Sequence, residues 1–192
     1  MAEQVLTMYL AGAIRDGVDE DIIWREHVIE ALRRHPVRIL NPLGGKTRDD
    51  KGNWTVSGVP SGARFITKHD IWYVKHSDIV LFNLRALSQG YPNIGTLVEF
   101  GAAVASGALI YVIVDPDYTG HNANMYKLHP FIAEFAAQTF DTTEQAVEFL
   151  KRHVNVISGR APSFVEYQKE QRAQGYDVNS RPTLEEIAHR SR

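Results

Sequence analysis

Apolar residues in this chain follow two kinds of pattern: short continuous runs and longer stretches with helical spacing. The continuous runs are rich in β-branched residues and end at Gly, Asp, Asn or Pro, which is typical of strands covered by helices on both faces. They predict strands at Val5–Leu10, Val37–Leu40, Asp78–Leu84, Ala108–Val114 and Gln138–Asp141.

Helical spacing occurs between these runs. In the first such stretch, Trp24, Val28 and Leu32 recur at the spacing of one helix face, with charged residues at most other positions. Strands that alternate with helices imply parallel βαβ units, so we expect an α/β fold with an open, doubly wound sheet and helices on both faces. The predicted helices are Asp19–Arg34, Arg64–His76, Ile94–Ser106 and Thr142–His153.

Two segments do not follow this alternation. Asn41–Ala63 is long, polar and rich in Gly and Pro, as functional or disordered loops are. Residues 155–192 are polar, with a capping box at Ser163 and Glu166 ahead of a short helix. We therefore expect one domain over residues 1–154 and a C-terminal helical extension over 155–192, which is either an arm that reaches a neighbouring subunit or an appendage.

Composition excludes several classes of protein. The 192 residues carry 21 Lys and Arg against 23 Asp and Glu, a net charge of −2, so no basic field indicates a nucleic-acid polymer as partner. Cysteine is absent, which excludes disulfides, thiolate nucleophiles and sulfur-bound metals. The eight histidines show no metal-binding spacing, so we expect no metal. The chain start resembles no signal peptide and no run is long enough to span a membrane, so we expect a cytoplasmic protein.

Ligands of open α/β sheets bind beyond the carboxyl ends of the strands, and few polar residues fall there. The first strand runs from Tyr9 into Gly12, where small residues let a ligand approach the backbone. The third strand leads through a loop to Asn93 and Gly95, which open the next helix. By contrast, Gly44-Gly45-Lys46-Thr47 only partly matches a phosphate-binding GxxxxGK[ST] loop, because position 40 is not glycine.

A single acid, Glu99, lies in the run NIGTLVEFGAA, which otherwise predicts a buried helix. A carboxylate in such surroundings is costly to desolvate unless it is paired or used in chemistry. Glu99 lies one turn into the predicted helix, where we expect the helix dipole to favour its ionised form. The alternative is an ordinary charge near a helix start.

A second acid, Asp70, lies in ITKHDIWYV, on the helix that precedes the third strand. It is predicted to lean towards the same crevice as Glu99, and two converging carboxylates are the groups that cleave a glycosidic bond. The alternative is a solvated helix residue, with His69 beside it as a surface neighbour.

Four segments in order carry a family resemblance: MYLAG, ITKHDI…SDIVLFNL, NIGTLVEFGAA and ALIYVIVDPDY. Together they resemble the nucleoside 2-deoxyribosyltransferase family over roughly residues 5 to 150. The resemblance implies a five-stranded, flavodoxin-like doubly wound sheet. It also implies exchange of the base of a 2′-deoxynucleoside for a free nucleobase through a covalent deoxyribosyl-enzyme, without a metal or an organic cofactor.

The same resemblance implies roles for individual residues. Glu99 matches the nucleophile, Asp70 the residue that handles the proton on the base, and Tyr9 the aromatic residue that holds the nucleophile. Asn93 stands where many members have Asp, so an amide replaces a charge. In HNANMY, Asn124 or Asn122 matches an asparagine that reaches a sugar bound by the adjacent subunit, which implies a homo-oligomer with shared active sites.

Two other functions remain open from the sequence. A nucleoside 5′-monophosphate N-glycosidase would pass the sugar to water and would need phosphate donors, for which Arg15 and Ser88 are available. A non-catalytic nucleotide-binding or sensor domain is the other, since fold alone does not fix function. It would leave the pairing of Asp70 with Glu99 unexplained.

Overall fold

The computed structural model describes residues 5–15, 18–48, 54–56, 59–60, 62–85, 93–114 and 130–159. They contain a five-stranded sheet, in the order β2-β1-β6-β7-β8, whose strands are all parallel. This order is that of a flavodoxin-like doubly wound fold. The predicted fold class is therefore confirmed. The strands of this sheet are β1 Leu6–Gly12, β2 Val37–Leu40, β6 Ile79–Asn83, β7 Leu109–Ile113 and β8 Gln138–Phe140.

Helices cover both faces of the sheet. Alternate residues of the strands enter two separate hydrophobic cores, as a strand buried on both faces requires. One core contains side chains of α1 and α5, and the other contains side chains of α2, α3 and α4. The helices are α1 Glu20–Leu32, α2 Ala63–Lys75, α3 Ile94–Ser106, α4 Pro130–Phe135 and α5 Thr143–Ile157.

The order of the strands creates a crevice between β1 and β6. After β1 the chain moves outward to β2 and then returns past β1 to β6, so the connecting helices leave towards opposite faces. The register places Gly12 opposite Asn83, which aligns the carboxyl ends of the two strands. A ligand crevice is expected at this edge of the sheet.

The long segment Asn41–Ala63, predicted as a loop, contains regular structure. Three short strands form a separate antiparallel sheet in the order β3-β4-β5. They have two or three residues each, too short for a recognisable pattern of apolar residues in the sequence. These strands are β3 Lys46–Arg48, β4 Trp54–Val56 and β5 Val59–Pro60.

Helix α3 is not the buried helix that its apolar sequence predicts. Only Thr96, Phe100 and Ala103 are buried on it. Its other face exposes Ile94 and Val98, with exposed fractions of 69% and 55%. The prediction was wrong because composition alone does not distinguish a helix buried all round from a helix with an exposed apolar face.

The remaining boundaries differ by a few residues from those predicted. Helix α5 continues to Ile157 rather than ending at His153, and the short helix α4 was not predicted. The described residues belong to one compact unit, Met1–Gly159, and the predicted extension lies almost wholly outside them. No helix in the described ranges has the length and apolar character needed to cross a membrane.

Candidate active site

A cleft of about 370 Å³ opens at the carboxyl end of β1. Helix α3 approaches it with its first two turns, and helix α2 contributes one side chain, so the cleft lies where the strand order predicts a ligand. It contains both acids singled out in the sequence. The lining residues are Gly12, Ile14, Asp70, Asn93, Ile94, Gly95, Thr96 and Glu99.

Tyr9 and Glu99 are joined by a hydrogen bond in this cleft. The buried Tyr9 hydroxyl, on the α2 and α3 side of β1, donates to Glu99 Oε1 at 2.8 Å. These residues are 90 positions apart in the sequence, and the bond fixes the side chain of α3 against β1. The Tyr9 hydroxyl therefore holds one of the two carboxylate oxygens of Glu99.

The surroundings of Glu99 raise the pKa of its carboxyl group to about 7. Burial is the largest cause, because it disfavours the charged form. The Tyr9 hydrogen bond lowers the pKa, the Asp70 charge raises it, and the Arg25 and Lys46 charges lower it. Glu99 lies in the second turn of α3, and the desolvation of its carboxyl group outweighs the contacts that favour the ionised form.

Asp70 reaches the cleft from α2 and is bound from behind by Lys46. The Lys46 ammonium donates to Asp70 Oδ1 at 2.6 Å and to Oδ2 at 2.8 Å. His69 Nδ1 lies 3.3 Å from the same Oδ1. The Lys46 side chain is only 3% exposed and that of Asp70 is 14% exposed, so the ion pair is largely shielded from water.

A fully buried arginine supports the end of β1. The Arg25 guanidinium donates to the carbonyl oxygens of Gly12 at 2.8 Å and Ala13 at 3.1 Å, and also to those of Leu10 and Asp21. It lies 4.6 Å from the centre of the Trp24 ring. Burial lowers the pKa of Arg25 to about 10, so the group remains a cation at neutral pH. Arg25 thus fixes the backbone that forms one wall of the cleft.

Gly12 is closely packed at this end of β1. A Cβ atom at position 12 would lie 3.1 Å from Trp24 Cζ2, 3.2 Å from the Asn83 carbonyl oxygen and 3.3 Å from Arg25 Nη2. Because one of these neighbours is backbone, it cannot move aside easily. At Gly95, by contrast, a Cβ atom would meet no described residue within 4 Å, and Gly95 lines the cleft.

Asn93 precedes α3 in a left-handed backbone conformation, with φ 38° and ψ 43°. Its Oδ1 accepts a hydrogen bond of 2.6 Å from the Thr96 hydroxyl. Its Nδ2 is buried and, within the described part of the chain, has no hydrogen-bond partner. Asn93 also lines the cleft, at the start of α3.

Three of the candidate site residues predicted from the sequence lie outside the described residues: Ser88, Asn122 and Asn124. Among the residues that the structure does describe, no group of three His, Asp or Glu side chains is arranged to hold a metal ion. The structure therefore brings together Tyr9 and Glu99 with Asp70, but does not place the two asparagines.

Sequence reasoning missed Lys46 and Arg25. Lys46 was considered only as part of an incomplete phosphate loop. Arg25 follows Trp24 and shares the stripe of Val28 and Leu32, at i, i+3 and i+7. That spacing is a sequence signal for a buried arginine, because a charge on the apolar face of a helix must be paired.

Comparisons with known proteins agree with this geometry. The family model for nucleoside 2-deoxyribosyltransferase matches residues 8–127. No curated protein sequence matches the chain.

Solved structures with the same fold include three bacterial or protozoan proteins. A conserved protein from Enterococcus faecalis V583 has a TM-score of 0.57 at 16% identity, and covers 78% of this chain and 99% of its own. A 2-deoxyribosyltransferase from Leishmania mexicana has a TM-score of 0.54 at 19% identity, and the match covers 77% of this chain and 98% of that protein. A 2-deoxyribosyltransferase from Bacillus psychrosaccharolyticus has a TM-score of 0.52 at 17% identity, and the match covers 73% of this chain and 90% of that protein. At these identities the likeness shows the fold.

The family match covers more than half of the chain, from β1 through α3 and β7, and so includes every described residue of the cleft. Enzymes of this family act on nucleosides and nucleobases as small-molecule substrates. The chain is therefore a member of the nucleoside 2-deoxyribosyltransferase family.

Proposed function

We propose that this protein exchanges the base of 2′-deoxynucleosides by a double displacement, with Glu99 as the nucleophile. The observation that carries the proposal is the position of Glu99. Its carboxylate faces the cleft, is held at Oε1 by the Tyr9 hydroxyl, and shares the cleft with Asp70. A carboxylate held in this way can form a covalent glycosyl intermediate.

In the first step, Glu99 Oε2 attacks C1′ as the bond from C1′ to the base nitrogen breaks. The electron pair of that bond leaves with the base, and the sugar becomes an ester of Glu99. The transition state resembles an oxocarbenium ion beside the carboxylate, and the missing 2′-hydroxyl makes this cation easier to form. In the second step an incoming base attacks C1′, and Glu99 is released as a carboxylate. Two inversions retain the configuration.

Asp70 is the group proposed to manage the proton. A departing base must gain a proton, and an incoming base must lose one, so a single group can serve both halves of the reaction. Asp70 lines the cleft and is the other acid there. Directly or through a water that it orients, Asp70 passes one proton to the departing base, and the incoming base returns one proton by the same route.

We further propose that Asn93, Gly12 and Gly95 contact the substrate, and that Asn122 or Asn124 contacts the sugar from an adjacent subunit. The first three line the cleft. The sugar contact from an adjacent subunit requires a homo-oligomer. The exposed apolar face of α3 gives a surface that an oligomer would cover, since exposed apolar patches mark protein interfaces.

The proposal is tested by incubating the protein with deoxyinosine and adenine and separating the products by chromatography. Transfer forms deoxyadenosine and releases hypoxanthine. A 2-fluoro-2-deoxynucleoside should leave an adduct on the peptide that contains Glu99, detected by denaturing mass spectrometry. Glu99→Gln keeps the shape of the side chain and should lose at least ~10³-fold in turnover. An adduct on another peptide contradicts the assignment.

The same assay separates transfer from hydrolysis. An N-glycosidase would release hypoxanthine without forming deoxyadenosine, and only from the 5′-monophosphate. Arg15 is one of the phosphate donors that the sequence offers. Its Nε donates to Asp21 Oδ2 at 2.9 Å and its Nη2 donates to Asp21 Oδ1 at 2.8 Å. This ion pair favours a structural role for Arg15 and so supports transfer.

Asp70→Asn tests the proton step. The variant should impair nucleosides whose base needs a proton to leave, and spare those with an activated leaving group, because an acid matters most for the most basic leaving nitrogen. The two substrate classes are compared by kcat/KM. Equal losses with both would mean that Asp70 has a structural role.

A further inference from the structure

Lys46 is a buried cation that the proposed reaction does not use. It is separated from the cleft by Asp70, since Asp70 lines the cleft and Lys46 does not. Its ammonium contacts both oxygens of that carboxylate, at 2.6 and 2.8 Å. A buried lysine must be paired, and this pairing also restricts the rotation of the carboxylate.

The backbone around Lys46 is fixed by its own contacts. A turn follows β2, in which the Leu43 N–H donates to Asn41 Oδ1 at 3.0 Å and the Lys46 N–H donates to the Leu43 carbonyl at 3.1 Å. Gly45 adopts a φ of 71°, which favours glycine. Lys46 then pairs with Val56 in the small antiparallel sheet. The lysine is therefore delivered to Asp70 by a defined turn, and the fragment of a phosphate loop in the sequence has a different use.

The charges in and behind the cleft balance. Glu99 and Asp70 are two carboxylates in one small cavity, and like charges in such a site disfavour each other's ionised form. Two buried cations, Lys46 and Arg25, lie behind them. Among the described residues, Tyr9 on β1 contacts Glu99, His69 on α2 contacts Asp70, and Tyr73 on α2 packs against both of these rings.

Resting on the function proposed above, we propose that Lys46 is a positioning residue, which orients the Asp70 carboxylate towards the substrate base and compensates its charge so that Glu99 can ionise beside it. His69 cannot replace it in this role. It reaches only Oδ1, at 3.3 Å, and its side chain is 23% exposed, whereas Lys46 binds both oxygens from the buried side.

The experiment compares Lys46→Met, which removes the charge at similar length, with Lys46→Arg, which keeps it. Lys68→Met on the exposed side of α2 is the matched control. The readout is the titration of the Glu99 carboxyl, followed by NMR of protein labelled with ¹³C at the glutamate carboxyl groups. Its signal is identified by its absence in Glu99→Gln. This readout does not require turnover, so it holds whether or not the wild-type protein transfers bases.

We expect Lys46→Met to raise the Glu99 midpoint by about one pH unit or more, because an uncompensated Asp70 charge then faces Glu99. Lys46→Arg and Lys68→Met should leave it near the wild-type value. Lys46→Met combined with Asp70→Asn should return the Glu99 midpoint to near the wild-type value, since the opposing carboxylate is gone. In the exchange assay, Lys46→Met should lose about tenfold or more in kcat/KM at pH 7 and less at pH 9.

A Glu99 midpoint in Lys46→Met that stays at the wild-type value overturns the proposal. So does an equal loss of kcat/KM at pH 7 and pH 9, which would indicate a general structural effect. If Lys46→Met fails to fold by circular dichroism, Lys46→Gln takes its place with the same expected shift. Failure of the transferase proposal is seen separately, as absence of base exchange by the wild-type protein.

Discussion

The Glu99 carboxyl must be ionised to attack C1′, yet its surroundings raise its pKa to about 7. A group whose pKa is raised is protonated over a wider range of pH, so fewer molecules carry the nucleophile as the pH falls. In the proposed reaction, kcat/KM should therefore fall below about pH 7, well above the usual range for a glutamate.

Tyr9→Phe should move the fall of kcat/KM on the acid side of the pH profile to higher pH. The Tyr9 hydroxyl donates to Glu99 Oε1 and lowers the Glu99 pKa, so removing it leaves burial less opposed. We expect a rise of about one unit in the acid midpoint of log(kcat/KM) and a loss of about tenfold at pH 6. Tyr73→Phe, whose ring centre lies 6.2 Å from that of Tyr9, is the matched control. An unmoved midpoint would mean that the hydrogen bond does not tune the nucleophile.

At this scale the sequence identifies some residues and not others. Glu99 and Asp70 can be found because each is an isolated acid near the predicted ligand edge, and Tyr9 lies on the first strand. Lys46 and Arg25 could not be assigned in the same way. Their roles depend on burial and on contacts across 24 and 13 residues, which are set by how a turn and a helix pack.

At the scale of elements, Arg25 joins α1 to the end of β1. Four backbone carbonyls accept hydrogen bonds from one buried guanidinium. Strand β1 therefore ends in a rigid segment, not in an open turn, and the wall of the cleft inherits this rigidity.

Arg25→Met should destabilise the protein by about 2–5 kcal/mol, because it leaves buried carbonyl groups without donors. The free energy of unfolding is measured by urea denaturation. Arg33→Met is the control. Arg33 is exposed and pairs with Glu30 at 3.5 Å on the surface, so its loss should change stability by no more than about 0.5 kcal/mol. Equal effects of the two substitutions would contradict the structural role of Arg25.

The main elements are predictable from sequence because their apolar patterns are strong. Strands β6 and β7 are almost wholly apolar and are covered on both faces, and α5 follows the N-cap residue Thr142, whose hydroxyl accepts from the Gln145 N–H. Strands β3 to β5 and helix α4 were missed because a run of two to six residues is too short to show a period. The exposed side of α3 was missed because an apolar composition does not show which faces of a helix are packed against other elements.

At the scale of the whole molecule, α3 and α4 carry five of the large apolar side chains that are exposed among the described residues. Val98 and Phe131 have exposed fractions of 55% and 65%. Surfaces of this kind are expected to be covered in an assembly. The predicted sharing of Asn124 or Asn122 between subunits requires such an assembly.

Mixed oligomers test this sharing. Glu99→Ala and Asn124→Ala proteins should each be nearly inactive, and mixing them after mild dissociation should restore part of the wild-type rate, because some sites then combine an unaltered Glu99 with an unaltered Asn124. Asn122→Ala is examined in the same way and separates the two candidates. No recovery in confirmed mixed oligomers, or a monomer by light scattering, would end the idea of a shared site.

The pKa of Glu99 also sets how the stability of the fold responds to pH. In the unfolded chain this carboxyl titrates near 4.5, and in the folded protein near 7. The folded state holds the proton more tightly, so the stability from this group is fully present below about pH 4.5 and is lost as the pH rises through 7. The shift corresponds to at most about 3 kcal/mol.

Glu99→Gln should therefore unfold at a higher temperature than the wild type at pH 8, although it is inactive. The gain should grow between about pH 4.5 and 7 and then stay constant, as followed by thermal melts across this range. Exposed Glu26→Gln should show no such growth. A gain that does not depend on pH would mean that the charge of Glu99 does not strain the fold. At neutral pH and above, the proposed nucleophile is thus a site where the protein gives up thermal stability for reactivity.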